Sequence, residues 1–277
     1  MTFKQKLAKA TSISAGKLPS SYQIVGDVLL IKLPKLKPQQ KQKIGQVILQ
    51  LLPYVRTVCE IKEVSGELRE PTVSTIAGNG TATVHKENDV LYKIDVSKVM
   101  FSKGNLSERK RLLGKIKDGE TIIDMFAGIG YFSLPIAKFT KAKEIISIEK
   151  NPTAYNFLTD NIALNKITNI IAIQGDCKIA ARSFPAKANR ILMGYFPGTE
   201  EFLGAALWMA KPGCIIHFHN IYPEKDLWKK PMSQIDEICS AFKKKYHIIL
   251  RKKVKSFSPK KWHVVIDFSG MSLLTSR

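Results

Sequence analysis

The sequence predicts an α/β chain: a doubly wound, largely parallel sheet preceded by a smaller N-terminal α+β domain. Three observations predict it. From Thr121 onward, apolar runs of strand length alternate with stretches of helical spacing. The first repeat, Thr121 to Pro135 (TIIDMFAGIGYFSLP), reads as strand, glycine-bearing turn and helix. Before residue 99 the order differs, with short strand runs around one helical stretch.

Residues 1–21 are basic and polar and read as a loosely held N-terminal segment. This stretch is free of acids, which superficially fits a transit peptide. It has no long apolar core and no clear amphipathic face, so an ordinary basic terminus is expected. Residues 22–98 read as the small α+β domain. Tyr22 to Leu33 holds two short strands pivoting at Gly26-Asp27, and Gln39 to Leu52 has helical spacing (Ile44, Val47, Ile48, Leu51). Val55 to Val64 is strand-like. Gly78-Asn79-Gly80 marks a turn, and Asp89 to Val96 alternates as a strand.

Residues 99–277 read as the larger, ligand-binding domain. Ser107 is the expected N-cap of a helix running to about Lys117. Strands follow at 121–126, 144–148, 170–174, 189–193 and 214–219, with helices at 131–139, 152–164, 199–210 and 232–246. Ile248 to Val254 and Trp262 to Phe268 close the domain as a pair of strands.

In such a sheet, ligands sit at the carboxyl ends of the strands. Three positions line up there. Asp124 precedes the loop carrying Gly128 and Gly130; Glu149 follows the second strand; Asp176-Cys177 follows the third. The glycines permit close backbone approach, and Glu149, nineteen residues past Gly130, is placed to accept hydrogen bonds from a ribose. An acid after the third strand can accept from an adenine amino group. The loop reads A-G-I-G-Y-F, without the third glycine of a dinucleotide site, so an adenosine-containing ligand such as S-adenosylmethionine (SAM) is expected rather than NAD.

Charge names a partner class. Lys and Arg number 44 against 23 Asp and Glu, a formal net charge of +21. The excess is clustered, at Lys32 to Lys43 and again at Lys243 to Lys245, Arg251 to Lys253 and Lys260-Lys261, which favours a polyanion such as nucleic acid. Cys59, Cys177, Cys214 and Cys239 have no knuckle spacing, and the histidines add no ligand motif, so neither a metal site nor a disulfide framework is expected. His217 and His219 share one strand face without making a metal site. A reducing, cytoplasmic setting is expected, with no membrane span and no obligate protein partner.

The blocks VMFSKGN…ER (Val99 to Arg109), DMFAGIGYFSLP, IEKNP (Ile148 to Pro152) and GDC (Gly175 to Cys177) together resemble a known family. It comprises the class I SAM-dependent enzymes that modify the guanosine 3′ of the anticodon of phenylalanine tRNA. Its two branches are the tRNA guanine-N1 methyltransferases and the wybutosine-synthesis aminocarboxypropyltransferases. The resemblance covers residues 20 to 270 and implies the Rossmann-like class I SAM-dependent methyltransferase fold. It implies a SAM site at Ser102, Arg109, Glu149, Asp176 and Cys177. Ser102 and Arg109 come from the resemblance alone. Two readings of Arg109 stand open, a solvated helix charge or a partner for the carboxylate of SAM. Cys177 is read as a small residue beside the adenine and not as a nucleophile.

The fourth strand separates the branches. Methyltransferases of this group carry an N-x-P-type element where this sequence has Met193-Gly194-Tyr195-Phe196-Pro197. Tyr131, the M-G-Y…T arrangement and the strand His217 to Asn220 (HFHN) are similar to the aminocarboxypropyltransferase branch. The resemblance thus implies transfer of the 3-amino-3-carboxypropyl group of SAM to a ring carbon of 4-demethylwyosine in tRNA(Phe), leaving 5′-methylthioadenosine. The anticodon arm would be positioned by the N-terminal domain. Orientation carries such a reaction, and no catalytic base is picked out. The alternatives are a guanine-N1 methyltransferase, including one acting on both guanosine and a wyosine precursor, and a non-catalytic RNA-binding protein. Trp262, Phe257 and Tyr195 are read either as base-stacking residues or as ordinary core or surface aromatics.

Overall fold

The computed structural model describes residues 1–101 and 105–273 and divides the chain into two compact units, 1–102 and 103–277. The first unit opens with helix α1 (Phe3–Thr11). Thr2 and Gln5 cap it reciprocally: the Gln5 amide donates to Thr2 Oγ1 at 3.3 Å and the Thr2 amide to Gln5 Oε1 at 2.7 Å. Leu7 is fully buried, against Leu29, Ile44 and Ile48. The expected loose segment at 1–21 is therefore corrected. Its polar composition hides one apolar stripe, Phe3, Leu7 and Thr11 at i, i+4 spacing, which the domain core captures.

Strands β1 (Gln23–Val25) and β2 (Val28–Ile31), helix α2 (Pro38–Leu51), and strands β3 (Thr57–Ser65) and β4 (Glu70–Gly78) form a four-stranded sheet in sequence order. β2 and β3 run parallel, with α2 as their crossover. α2 approaches the sheet closely at Gly45, where a Cβ would stand 2.7 Å from Cβ of Ala77. β5 (Ala82–Glu87) and β6 (Val90–Asp95) make a separate hairpin.

The second unit begins with α3 (Leu106–Leu113), which follows Asn105 at the N-cap position. Ser107 lies inside the first turn, a correction to its expected cap role, and the helix stops four residues before Lys117. Then come β7 (Thr121–Asp124), α4 (Ser133–Phe139), β8 (Glu144–Glu149), α5 (Pro152–Leu164), β9 (Ile170–Gln174), α6 (Cys177–Ala180), β10 (Ala188–Met193), α7 (Leu203–Met209), β11 (Ala210–Pro223), α8 (Lys229–Ala241), β12 (Lys244–Ser258) and β13 (Lys261–Leu273). The helical spacing read as far as Tyr246 ends at Ala241. Lys243 takes a left-handed backbone (φ 51°), and pairing with β13 draws Lys244 to Tyr246 into β12.

The seven strands lie in the order β12-β13-β11-β10-β7-β8-β9. The five strands from β11 to β9 are parallel neighbours, and β13 inserts antiparallel between β11 and β12. This is the doubly wound sheet with its closing hairpin. Alternate side chains serve opposite faces. Ile122, Ile145 and Leu192 join Leu112, Phe132 and Ile136 on one face. Ile123, Ile146, Ile191, Met193, Ile216 and Phe218 join Leu203, Leu207 and Ile235 on the other. The winding reverses between β7 and β10, the place where such sheets open a crevice for ligands.

Candidate cofactor and acceptor site

The loop after β7 is built by its glycines. Gly128 and Gly130 have φ of +57° and +97°, a region that L side chains avoid. A Cβ on Gly128 would stand 2.6 Å from the Tyr131 ring, and one on Gly130 would stand 2.5 Å from Cγ of Leu134. Asp124, fully buried, fastens the loop from below: it accepts from the Ser133 hydroxyl at 2.7 Å and from the Phe126 amide at 3.4 Å. Burial, aided by the charge of Glu149, pushes its carboxyl up to about 6 against these hydrogen bonds.

Glu149 ends β8 with both carboxylate oxygens engaged. Oε2 accepts from the Gly128 amide and Oε1 from the Asn151 amide, each at 2.7 Å. Burial raises its pKa despite those bonds. The Lys150 amide also approaches it, and a carboxylate has about four acceptor sites, so room remains to accept from a ribose hydroxyl. The Ala127 amide donates to the Ile148 carbonyl, and the Gly175 amide to that of Glu149, both at 2.9 Å, which levels the three loop mouths.

Asp176 caps α6, accepting from the Lys178 amide at 2.8 Å and from Lys150 Nζ at 3.0 Å. Burial works to raise its pKa, but these partners outweigh burial and lower it. Cys177 is buried, and burial beside Asp176 pushes its thiol up to about 12, a state without nucleophilic character.

Arg109 is buried on α3, with its guanidinium carbon 5.7 Å from the Tyr131 ring centroid. Of the two readings of this residue, the solvated helix charge is overturned. Tyr131 in turn covers Gly128, so Arg109, the glycine loop and Glu149 form one connected constellation. Ser102 lies outside the described residues. The cradle fits a nucleoside carrying an amino-acid tail: glycines where a backbone must be bare, acids at two strand ends and a guanidinium on the flank.

A buried ionic chain was not read from the sequence. Arg111 on α3 pairs with Glu108 and with Asp267 (2.6 Å). Asp267 pairs with His217 Nδ1 at 2.6 Å, His217 Nε2 meets Arg190 at 2.8 Å, and Arg190 pairs with Glu120 at 2.7 Å. An arginine only donates, so His217 Nε2 accepts and Nδ1 carries the proton toward Asp267. The one signal for this was the HFHN alternation, which places His217 and His219 on the α3 face of the sheet; their partners are 27 to 111 residues away in sequence. Of the aromatics read as possible base stackers, Tyr195 is stacked on Phe126 (5.1 Å) and Trp262 lies under Lys253 (4.6 Å). Phe257 stays exposed.

Fold and site define a class I, nucleoside-cofactor-dependent transferase. A family pattern described as the TRM5/TYW2 methyltransferase domain matches residues 83–249, and one described as the TYW2 N-terminal domain matches residues 4–81. The chain belongs to the TRM5/TYW2 family. It is 42% identical over 253 residues to the tRNA(Phe) (4-demethylwyosine(37)-C(7)) aminocarboxypropyltransferase of Pyrococcus horikoshii, covering 90% of this chain and 89% of that one. The crystal structure of P. horikoshii TYW2 in complex with MeSAdo superposes with a TM-score of 0.83 at 37% identity, over 98% of this chain and 100% of that chain. A complex of aTrm5 with tRNALeu gives 0.83 at 30% identity, over 97% and 78% of the two chains.

Proposed function

We propose that the chain transfers the 3-amino-3-carboxypropyl group of SAM to 4-demethylwyosine in tRNA(Phe), releasing 5′-methylthioadenosine. The observation that carries this reading is the 42% identity, across nine-tenths of the chain, to an enzyme named for that reaction. Gly194, standing where the methylating branch has an asparagine, points the same way.

The sulfonium of SAM offers three electrophilic carbons, and placement against the acceptor selects one. Glu149 holds the ribose and Asp176 the adenine amino group, with Cys177 as a small apolar wall. The turn at Gly128 and Gly130 lets the backbone approach. Arg109 takes the carboxylate of the tail and thereby orients the chain that is transferred. The acceptor ring enters beside the Gly194 to Pro197 loop.

The substrate is the anticodon arm of tRNA(Phe). The exposed bases on β12 (Lys245, Arg251 and Lys253) supply contacts to phosphate, and the N-terminal domain, residues 22–98 with α1 added, positions the tRNA. The four cysteines are unpaired, which fits a cytoplasmic enzyme. The test uses tRNA carrying the wyosine precursor and SAM labelled separately in its methyl and carboxyl carbons. Carboxyl label entering tRNA supports the reading; methyl label alone sinks it in favour of a guanine-N1-type methyltransferase.

A further inference from the structure

A second polar chain crosses the carboxyl edge of the sheet, and the chemistry above leaves it without a task. Glu108, in the first turn of α3, is fully buried. Its Oε1 stands 3.9 Å from Nε2 of His219, and Lys252 Nζ stands 3.5 Å from its Oε2. His219 Nδ1 meets His263 Nε2 at 3.0 Å. The His263 ring stacks on Phe196 with centroids 4.2 Å apart and planes at 30°, while the His219 ring faces Phe132 at 6.1 Å. His219 and His263 are 2% and 0% exposed.

The field of Glu108 biases the tautomers. At 3.9 Å its carboxylate, already accepting from Arg111, is too far for a hydrogen bond to His219, but its negative charge favours the proton on the facing Nε2. Its Nδ1 is then a lone pair, which takes the Nε2–H of His263. That leaves His263 Nδ1 unprotonated; it has no hydrogen-bond partner among the described residues. Burial lowers the pKa of both imidazoles and so favours their neutral forms.

The chain joins three elements that meet at the site. α3 carries Glu108 and, next to it, Arg109. The cofactor loop carries Phe132. The loop after β10 carries Phe196, two residues past Gly194. An apolar pair in place of the histidines would let the Phe196 ring slide along its contact. A directional hydrogen bond fixes it, because it holds only over a narrow range of distance and angle.

We propose that the His219–His263 pair, anchored on Glu108, is the positioning element of the acceptor loop: through Phe196 it sets where the acceptor ring meets SAM, and so which carbon is transferred. This rests on the function proposed above. The test begins with His263→Phe, which keeps the stacked ring and removes the hydrogen bond, and with His263→Gln, which restores a donor toward His219. Calorimetry reads SAM affinity, chromatography reads the ratio of 5′-methylthioadenosine to S-adenosylhomocysteine, and ¹⁵N NMR of the imidazoles reads the tautomers.

The expected result for His263→Phe is a tenfold or greater fall in kcat, SAM affinity within twofold of the parent, and a rise in S-adenosylhomocysteine. His263→Gln recovers most of kcat. The wild-type spectrum shows His263 protonated on Nε2 alone. A folded His263→Phe with unchanged kcat and product ratio overturns the proposal, as does the opposite tautomer. Should His263→Phe not fold, Phe196→Leu replaces it, with the same expected shift and the same overturning result. Failure of the functional reading is distinct, since it would appear in the wild-type products.

Discussion

Gly194 lies against the ring of Phe132: a Cβ at position 194 would stand 3.0 Å from Cε2 of that ring. The absence of a side chain at 194 thus makes room for an aromatic of the cofactor loop. Gly194→Asn, which installs the residue type of the methylating branch, forces Phe132 to move. Overpacking of this kind costs roughly 1–3 kcal/mol. We expect aminocarboxypropyl transfer to fall about tenfold or more, in line with that cost, without methyl transfer appearing. Product chromatography checks this, and efficient methylation by the variant would show that residue 194 alone chooses the branch.

Glu149 joins the cofactor loop to β8 by accepting from both the Gly128 and Asn151 amides. Glu149→Ala is expected to weaken SAM binding by about tenfold or more, the size of a lost charge-assisted hydrogen bond, with tRNA affinity unchanged. In Glu149→Gln the amide NH₂ faces one of the two backbone donors, so it rescues only in part. Calorimetry with SAM and filter binding with tRNA decide it; unchanged SAM affinity removes Glu149 from the ribose.

Arg109 is separable by ligand. Arg109→Ala should weaken SAM by about tenfold or more, as for the loss of a charge-assisted pair, and leave 5′-methylthioadenosine, which has no amino-acid tail, within about twofold. Equal losses for the two ligands would mean that Arg109 acts on the loop through Tyr131 and not on the carboxylate.

Two sets of groups make stability depend on pH. Burial raises the Asp267 carboxyl, but His217 and Arg111 outweigh it and hold it at about 2. Its folded pKa lies below the unfolded value of 3.8, so its contribution, about 2 kcal/mol, is present above pH 4 and lost as pH falls toward 2. Burial holds His219 and His263 at about 3 and 2 against 6.5 unfolded. The unfolded chain therefore takes up protons first, and stability declines as pH falls below 6.5, by up to ~1.4 kcal/mol per unit for each imidazole. Urea unfolding between pH 7 and 4 should be steeper for the parent than for His263→Phe. Parallel curves would show that the pair is not neutral in the fold.

Affinity for tRNA should fall steeply with salt. Reversing Lys245, Arg251 and Lys253 together should flatten the slope of log K against log salt by about two to three, near one per lost phosphate contact, while SAM affinity stays constant. An unchanged slope would move the RNA to another face.

The sequence by itself determined the winding of the second unit, because its strands and longer helices announce themselves by period and the glycine turn admits few alternatives. It also placed Gly128, Glu149 and Asp176 at the carboxyl ends of three neighbouring strands, since each stands at or just past a strand end by local rules. Three local features stayed hidden: α1, whose stripe is three residues in a polar segment, the start of α3 and the one-turn helix α6. The tertiary structure decided that Arg109 is buried over Tyr131, that Phe132 fills the room left by Gly194, and that Glu108, His219, His263 and Phe196 form one chain. These are contacts between residues about twenty to about a hundred and ten positions apart. Local periodicity carries no information about such pairs; only the order of strands in the sheet, with β13 inserted beside β11, brings them together.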